Sequence, residues 1–142
     1  METASSFTAV AVVELAMASC RISPRARSSA RGERPRRHWS WEAVEFDPEI
    51  GAAILEGYLN QARRFLTTSD YEYLYDSIRL LTFELGVRFF TDYLAGNVYF
   101  KVKHPLHNLQ RALVQFRLTE SIEAHETDIR QLIHRMAPAY HD

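Results

Sequence analysis

Between Phe46 and Met136 the apolar positions recur at helical spacing, interrupted by a few short polar or glycine-marked breaks. Ile50, Ile54, Tyr58, Ala62 and Phe65 form the first stripe. Asp47-Pro48-Glu49 stands before it as an aspartate N-cap, a proline at the first helical position and an acid in the first turn. Thr67-Thr68-Ser69 punctuates next, with Thr68 or Ser69 as the expected N-cap and Glu72 within reach of a capping box. A long helix is then expected from about Asp70 to Ala95, closed by Gly96 as a left-handed C-terminal cap. The loop Asn97–Leu106 contains Val98-Tyr99-Phe100-Lys101-Val102, a short extended run with no partner strand in view. His107 or Asn108 opens a last helical region through Leu109, Ala112, Leu113, Phe116, Ile122, Ile129, Leu132, Ile133 and Met136. A break is expected near Thr127-Asp128, and Pro138 ends the region. The pattern predicts an all-α fold of three to four helices and no sheet.

Two charges fall on the long helix's apolar stripe. With about 100° per residue, Leu74, Ile78, Leu81 and Leu85 share a narrow arc, and Arg88 and Asp92 lie inside it. A charge on a core-facing stripe must be paired or must line a wet cavity, so Asp92 is expected to orient the Arg88 guanidinium for a ligand. The plainer alternative is a solvated Glu84–Arg88–Asp92 ladder at i, i+4 spacing. The following loop sets Tyr99 and Phe100 beside Lys101, Lys103 and His104, a combination that grips a sugar or phosphate or else plugs a core edge. His104 with His107, and His125 near Glu126 and Asp128, lack the closed ligand sets of specific metal sites. No nucleophile elbow or glycine-rich phosphate cradle occurs.

Charge divides the chain in two. Residues 1–40 carry seven arginines and three glutamates, a local +4, which leaves −5 for the rest of a chain whose net charge is −1. Residues 1–44 are expected to be a disordered leader, because the stretch 21–40 holds almost no large aliphatic residues. Its basic residues are all arginine, as GC-rich DNA yields when read out of frame, so a misread or frameshifted start is one reading. An arm that binds nucleic-acid phosphates is the rival. The apolar run Phe7–Ala18 contains Glu14 and follows an acidic start, unlike a signal peptide, and a cytoplasmic location with no membrane partner is expected. The single Cys20 excludes an intramolecular disulfide.

One set of residues carries a family resemblance from about Val44 to His134. Arg79-Leu80-Leu81-Thr82-Phe83-Glu84, Arg88-Phe89-Phe90-Thr91-Asp92-Tyr93-Leu94, Gly96, Val98-Tyr99-Phe100, His107-Asn108-Leu109, Arg111-Ala112, Gln115 and Glu120-Ser121-Ile122-Glu123 stand in register. In these residues the chain resembles the C-terminal end of the aminoglycoside-phosphotransferase-like family, most nearly the bacterial N-acetylhexosamine 1-kinase type. The resemblance implies that residues 45–142 are the helical C-terminal part of a protein-kinase-like C-lobe. It also implies that Arg88 and Tyr99 contact a sugar or amino-sugar substrate, with Asp92 in support. Asn97 and Gln110 replace acids common in that family.

The family's activity needs ATP and magnesium, hence a phosphate-covering loop, an ATP-pairing lysine and catalytic and metal-holding aspartates. No His-x-Asp pair occurs in this sequence, and its only lysines are Lys101 and Lys103. The expectation is a substrate-side fragment with no catalytic or metal residue and no cofactor of its own, inactive alone and prone to self-association through exposed helix faces. A helical interaction module is the alternative; nucleic-acid binding through the arginine arm is the third reading.

Overall fold

The computed structural model describes residues 40–138 and the backbone of residues 20–22. Among these, four helices dominate: α1 (Pro48–Ala62), α2 (Thr68–Leu94), α3 (His107–Ala124) and α4 (Glu126–Met136). No described helix is long and apolar enough to cross a membrane.

The largest departure from the sequence pattern is a small sheet. Strand β1 (Cys20–Ile22) pairs antiparallel with β2 (Val44–Phe46), in the register Cys20 to Phe46, Arg21 to Glu45 and Ile22 to Val44. A 3-10 turn, Trp41–Ala43, leads into β2. Order therefore reaches into the stretch assigned to a disordered leader. The cause is the alternation Val44-Glu45-Phe46, which buries both apolar residues and leaves the strand's backbone needing a partner. The averaged arginine-rich composition hid the three residues that supply it. The rest of the arginine arm lies outside the described residues, as do residues 139–142.

Helix starts follow local chemistry closely. Asp47 accepts from the Glu49 and Ile50 amides at 3.0 and 3.2 Å and caps α1, with Pro48 at its first position. Thr67, one residue earlier than expected, caps α2 in a reciprocal box with Asp70 rather than Glu72. The C-terminus of α2 is a full Schellman motif. Gly96 has φ +90°, its N–H donates to Tyr93 O, and the Asn97 N–H donates to Asp92 O at 2.8 Å. The last helical region breaks at His125, two residues before the expected point, where its ring Nδ1 lies 2.7 Å from Ser121 O.

Helix faces are rotated from the expected stripes. In α1 the buried residues are Gly51, Leu55, Leu59 and Ala62, while Ile50 and Phe65 are exposed. In α2 they are Tyr71, Leu74, Tyr75, Ile78, Thr82, Gly86 and Asp92. Both true faces run through a glycine. A Cβ at Gly51 would strike the Phe46 ring, and one at Gly86 would sit 2.7 Å from the Phe116 ring. Close approach of neighbouring elements, rather than side-chain apolarity, sets these faces. The core joins Val44 and Phe46 to Leu55, Leu59, Leu74, Tyr75, Ile78, Leu118, Ile122, Ile129 and Ile133. The antiparallel α2–α3 pair is its backbone, with Arg79 reaching Glu123 near one end and Asp92 reaching Asn108 at the other.

Candidate functional site

Asp92 is the organising residue at the C-terminal end of α2. Its Oδ1 accepts from the Val98 and Tyr99 amides at 3.0 and 2.8 Å, and its Oδ2 from the Phe100 amide at 3.0 Å. The Asn108 side-chain amide donates to the same Oδ2 at 2.8 Å and to Asn97 Oδ1 at 3.1 Å. Asn97, held at φ 61°, donates onward to the Pro105 carbonyl at 3.0 Å. One buried carboxylate thus gathers three successive loop amides and ties them to the first turn of α3. Burial by itself would push this carboxyl up. The bonds from Phe100, Tyr99, Val98 and Asn108 outweigh burial and hold it below its ordinary value.

This geometry corrects the expected Arg88–Asp92 pair. Arg88 is half-exposed, and its Nε lies 3.7 Å from Glu84 Oε1, a loose i, i+4 contact. Asp92 has spent both oxygens on the loop. The buried face of α2 is centred about 50° further round than the Leu74–Leu85 arc, because Thr82 and Gly86 belong to it, and Arg88 falls outside. Thr82 fits there because its hydroxyl donates back to Ile78 O at 2.7 Å.

Asp92 nevertheless brings the expected residues to one end of the molecule. Arg88 lies one helical turn before it, about 6 Å along the axis. The Tyr99 amide is bonded to it, while the Tyr99 side chain is 76 % exposed. Tyr99 packs edge-on against Phe100 with ring centres 4.8 Å apart, and Phe100 meets Phe89 at 4.7 Å. The run Val98–Val102 is no strand; Asp92 bends its first half instead.

Behind Phe89 the chain forms a cleft of about 400 Å³ whose walls include His104, His107, Gln110, Arg111 and Val114. The Arg111 guanidinium lies 5.4 Å from the centre of the Phe89 ring and donates to Lys101 O at 3.1 Å and Asn108 Oδ1 at 2.9 Å. The His107 Nδ1 accepts from the Lys103 amide at 3.2 Å, which places the proton of the neutral ring on Nε2. His104 and His107 stand 5.2 Å apart, ring centre to ring centre.

A second cleft of about 360 Å³ lies at the other end of α2, between its first turns and α4. There Arg130 covers the Tyr75 ring at 4.3 Å, and its guanidinium is bonded to Asp76 and Glu126. The Tyr75 hydroxyl is buried without a partner among the described residues.

Periodicity missed Asn108 and Arg111 at the C-terminal end of α2 and Gly86 in its contact with α3. An asparagine and an arginine at i, i+3 just inside a helix, following a glycine-asparagine turn, are the signals that pointed there. Among the described residues no three His, Cys, Asp or Glu side chains converge as a metal-binding group. No protein-family model matches the chain.

Proposed function

We propose that this chain is the C-terminal, substrate-side part of an ATP-dependent phosphotransferase acting on a hexosamine-type sugar. The carrying observation is the Asp92-locked loop. It bonds the Tyr99 backbone to Asp92, one helical turn from Arg88, while leaving both side chains open to solvent. In such a site the planar Arg88 fork donates to sugar hydroxyls, and the Tyr99 ring offers a face to the sugar's C–H surface. Rigid backbone below and free side chains above lower the ordering cost of binding. Among the described residues no group of carboxylates gathers as ATP-bound magnesium would need, and no chemical step is assigned to this chain.

Ligand-observed NMR with N-acetylglucosamine and N-acetylgalactosamine tests the reading. Weak saturable binding is expected, lost in Arg88→Ala and Tyr99→Ala variants that keep wild-type helicity. Incubation with magnesium-ATP and either sugar should give no sugar phosphate. Binding that survives both substitutions, or turnover that survives removal of host kinases, contradicts the proposal.

A second reading, a helical interaction module, is favoured by the outer face of α2. Tyr73, Leu80, Phe83, Val87, Phe90 and Leu94 are all exposed there and follow the three-and-four spacing of a coiled-coil seam. Apolar residues on two faces of one helix call for burial on both. Sedimentation equilibrium separates the readings. Self-association abolished by Leu80→Glu with Leu94→Glu, without any sugar binding, favours the module.

A further inference from the structure

The cleft behind Phe89 has a chemistry that the sugar-facing reading does not use. Arg111 lines it and forms no ion pair with a carboxylate among the described residues, and the Lys101 carbonyl and Lys103 amide are bonded to Arg111 and His107 at its edge. His104 and His107 add two imidazoles at its rim. The first turn of α3, which supplies His107 and Gln110, contains no acidic residue, and its N-cap Leu106 offers no side-chain bond. The positive end of the helix therefore adds to the same field. Concentrating like charges on a small concave surface raises the electrostatic energy unless an anion enters.

We propose that this cleft binds a phosphate monoester, its phosphate held by Arg111, His104 and His107 and its organic part laid against Phe89 and Val114. Arg111 is suited to the task. Only Nη1 is engaged, with Lys101 O and Asn108 Oδ1, and these bonds fix the plane of the guanidinium without neutralising it. His107 is fixed likewise by the Lys103 amide, so its Nε2–H is the edge left to donate. Gln110, one turn into α3, supplies a neutral donor, and Phe89 and Val114 supply an apolar wall of the kind small-molecule sites use. Burial and then Arg111, His104 and Lys103 all push the His107 ring below its ordinary pKa. The site uses neither Arg88 nor Tyr99, and the inference does not rest on the phosphotransferase reading.

The test is a ¹H–¹⁵N NMR titration of the full chain with inorganic phosphate and with phenyl phosphate, ionic strength held constant with chloride. Saturable shifts confined to His104, His107, Gln110 and Arg111 are expected, with phenyl phosphate bound more tightly than phosphate. The His107 titration midpoint should rise when phosphate is present. Arg111→Gln should weaken binding at least about tenfold. Because Arg111 also braces the loop, His104→Gln serves as a second variant and should weaken binding in a chain whose Asp92-bonded amides are unmoved. Arg130→Gln, at the paired cleft, should change nothing. Shifts spread over all exposed cations, absence of saturation up to about 10 mM, or equal affinity in the two cleft variants and wild type would each overturn the assignment.

Discussion

The two ends of α2 each carry an arginine stacked on an aromatic ring beside a cleft, yet they are electrostatically unlike. At the N-terminal end Arg130 covers Tyr75 and is paired with Asp76 and Glu126. At the C-terminal end Arg111 covers Phe89 and touches no carboxylate among the described residues. Asp92, a carboxylate at that end, is turned inward and consumed by backbone amides. The first end spends its charges on joining two helices. The second spends a carboxylate on shaping a loop and leaves Arg111 facing a cavity. A charge whose partner is another side chain ties elements together; a charge whose only acceptors are neutral oxygens stays available for a ligand.

The sharpest way to break this contrast is to remove Asp92. Asp92→Ala leaves the amides of Val98, Tyr99 and Phe100 and the Asn108 side chain without their shared acceptor. The melting temperature should fall by roughly 10 °C or more, since several buried donors lose their partner together. Hydrogen exchange at those three amides should accelerate far more than at the α1 amides. Asp76→Ala at the opposite end should barely move either quantity. Comparable losses from both substitutions would mean that the ends do not differ in kind.

The next effect comes from the helix contact that aligns the two ends. Gly86 lets α2 approach α3 against Phe116 and Gln115, and Gly86→Val would force those side chains apart. A cost of about 1–3 kcal/mol is expected from overpacking, measured by urea denaturation. Gly57→Ala is the counterpart, since nothing lies within 4 Å of a Cβ there. It should stabilise α1 by about 0.5–1 kcal/mol. A Gly86→Val chain as stable as wild type would show that the close approach is not needed.

These contrasts also show what the chain made legible. The start of α1, the extent of α2 and its glycine closure follow from local capping chemistry, which a few adjacent residues determine. Helix faces did not follow, because Gly51, Thr82 and Gly86 contribute little hydrophobicity and yet mark the tightest packing. Strand β1 escaped because it sits at the edge of an arginine-rich background, more than twenty residues from its partner. The buried charge of Asp92 was legible on the stripe, whereas Arg88 stands half-exposed beside Glu84. The partners of Asp92 were not legible, because an aspartate near a helix C-terminus has the following loop's amides within reach, and no periodicity encodes that.

Acid should act at lower amplitude, and near pH 4 at both ends, because bonds from Thr67 hold Asp70 at the N-terminal end below its ordinary value as well. The folded-state pKa values of Asp92 and His107 are both lowered, so in each case the unfolded chain binds protons more readily. The His107 contribution is complete above the unfolded value near 6.5 and declines as pH falls below it toward the folded value. The Asp92 contribution is complete above roughly 4 and is lost as pH falls through its depressed value. The melting temperature should therefore start to drop below about pH 6.5 and fall more steeply below about 4. His107→Gln should remove the first decline and Asp92→Asn should blunt the second. A profile flat from pH 8 to 4 would contradict the environment assigned to His107.

The smallest effect belongs to the paired cleft, and its smallness is the point. Arg130 and Asp76 are 41 % and 49 % exposed in their side chains, so solvent screens their attraction. An Asp76→Ala and Arg130→Gln double-mutant cycle should give a coupling of about 0.2–1 kcal/mol, reduced by added salt. Arg130→Gln alone should cost somewhat more than the coupling, because it also uncovers the Tyr75 ring. A coupling well above that range, insensitive to salt, would place this pair among desolvated charges. The N-terminal end would then be the electrostatically critical one, and the contrast between the two ends would reverse.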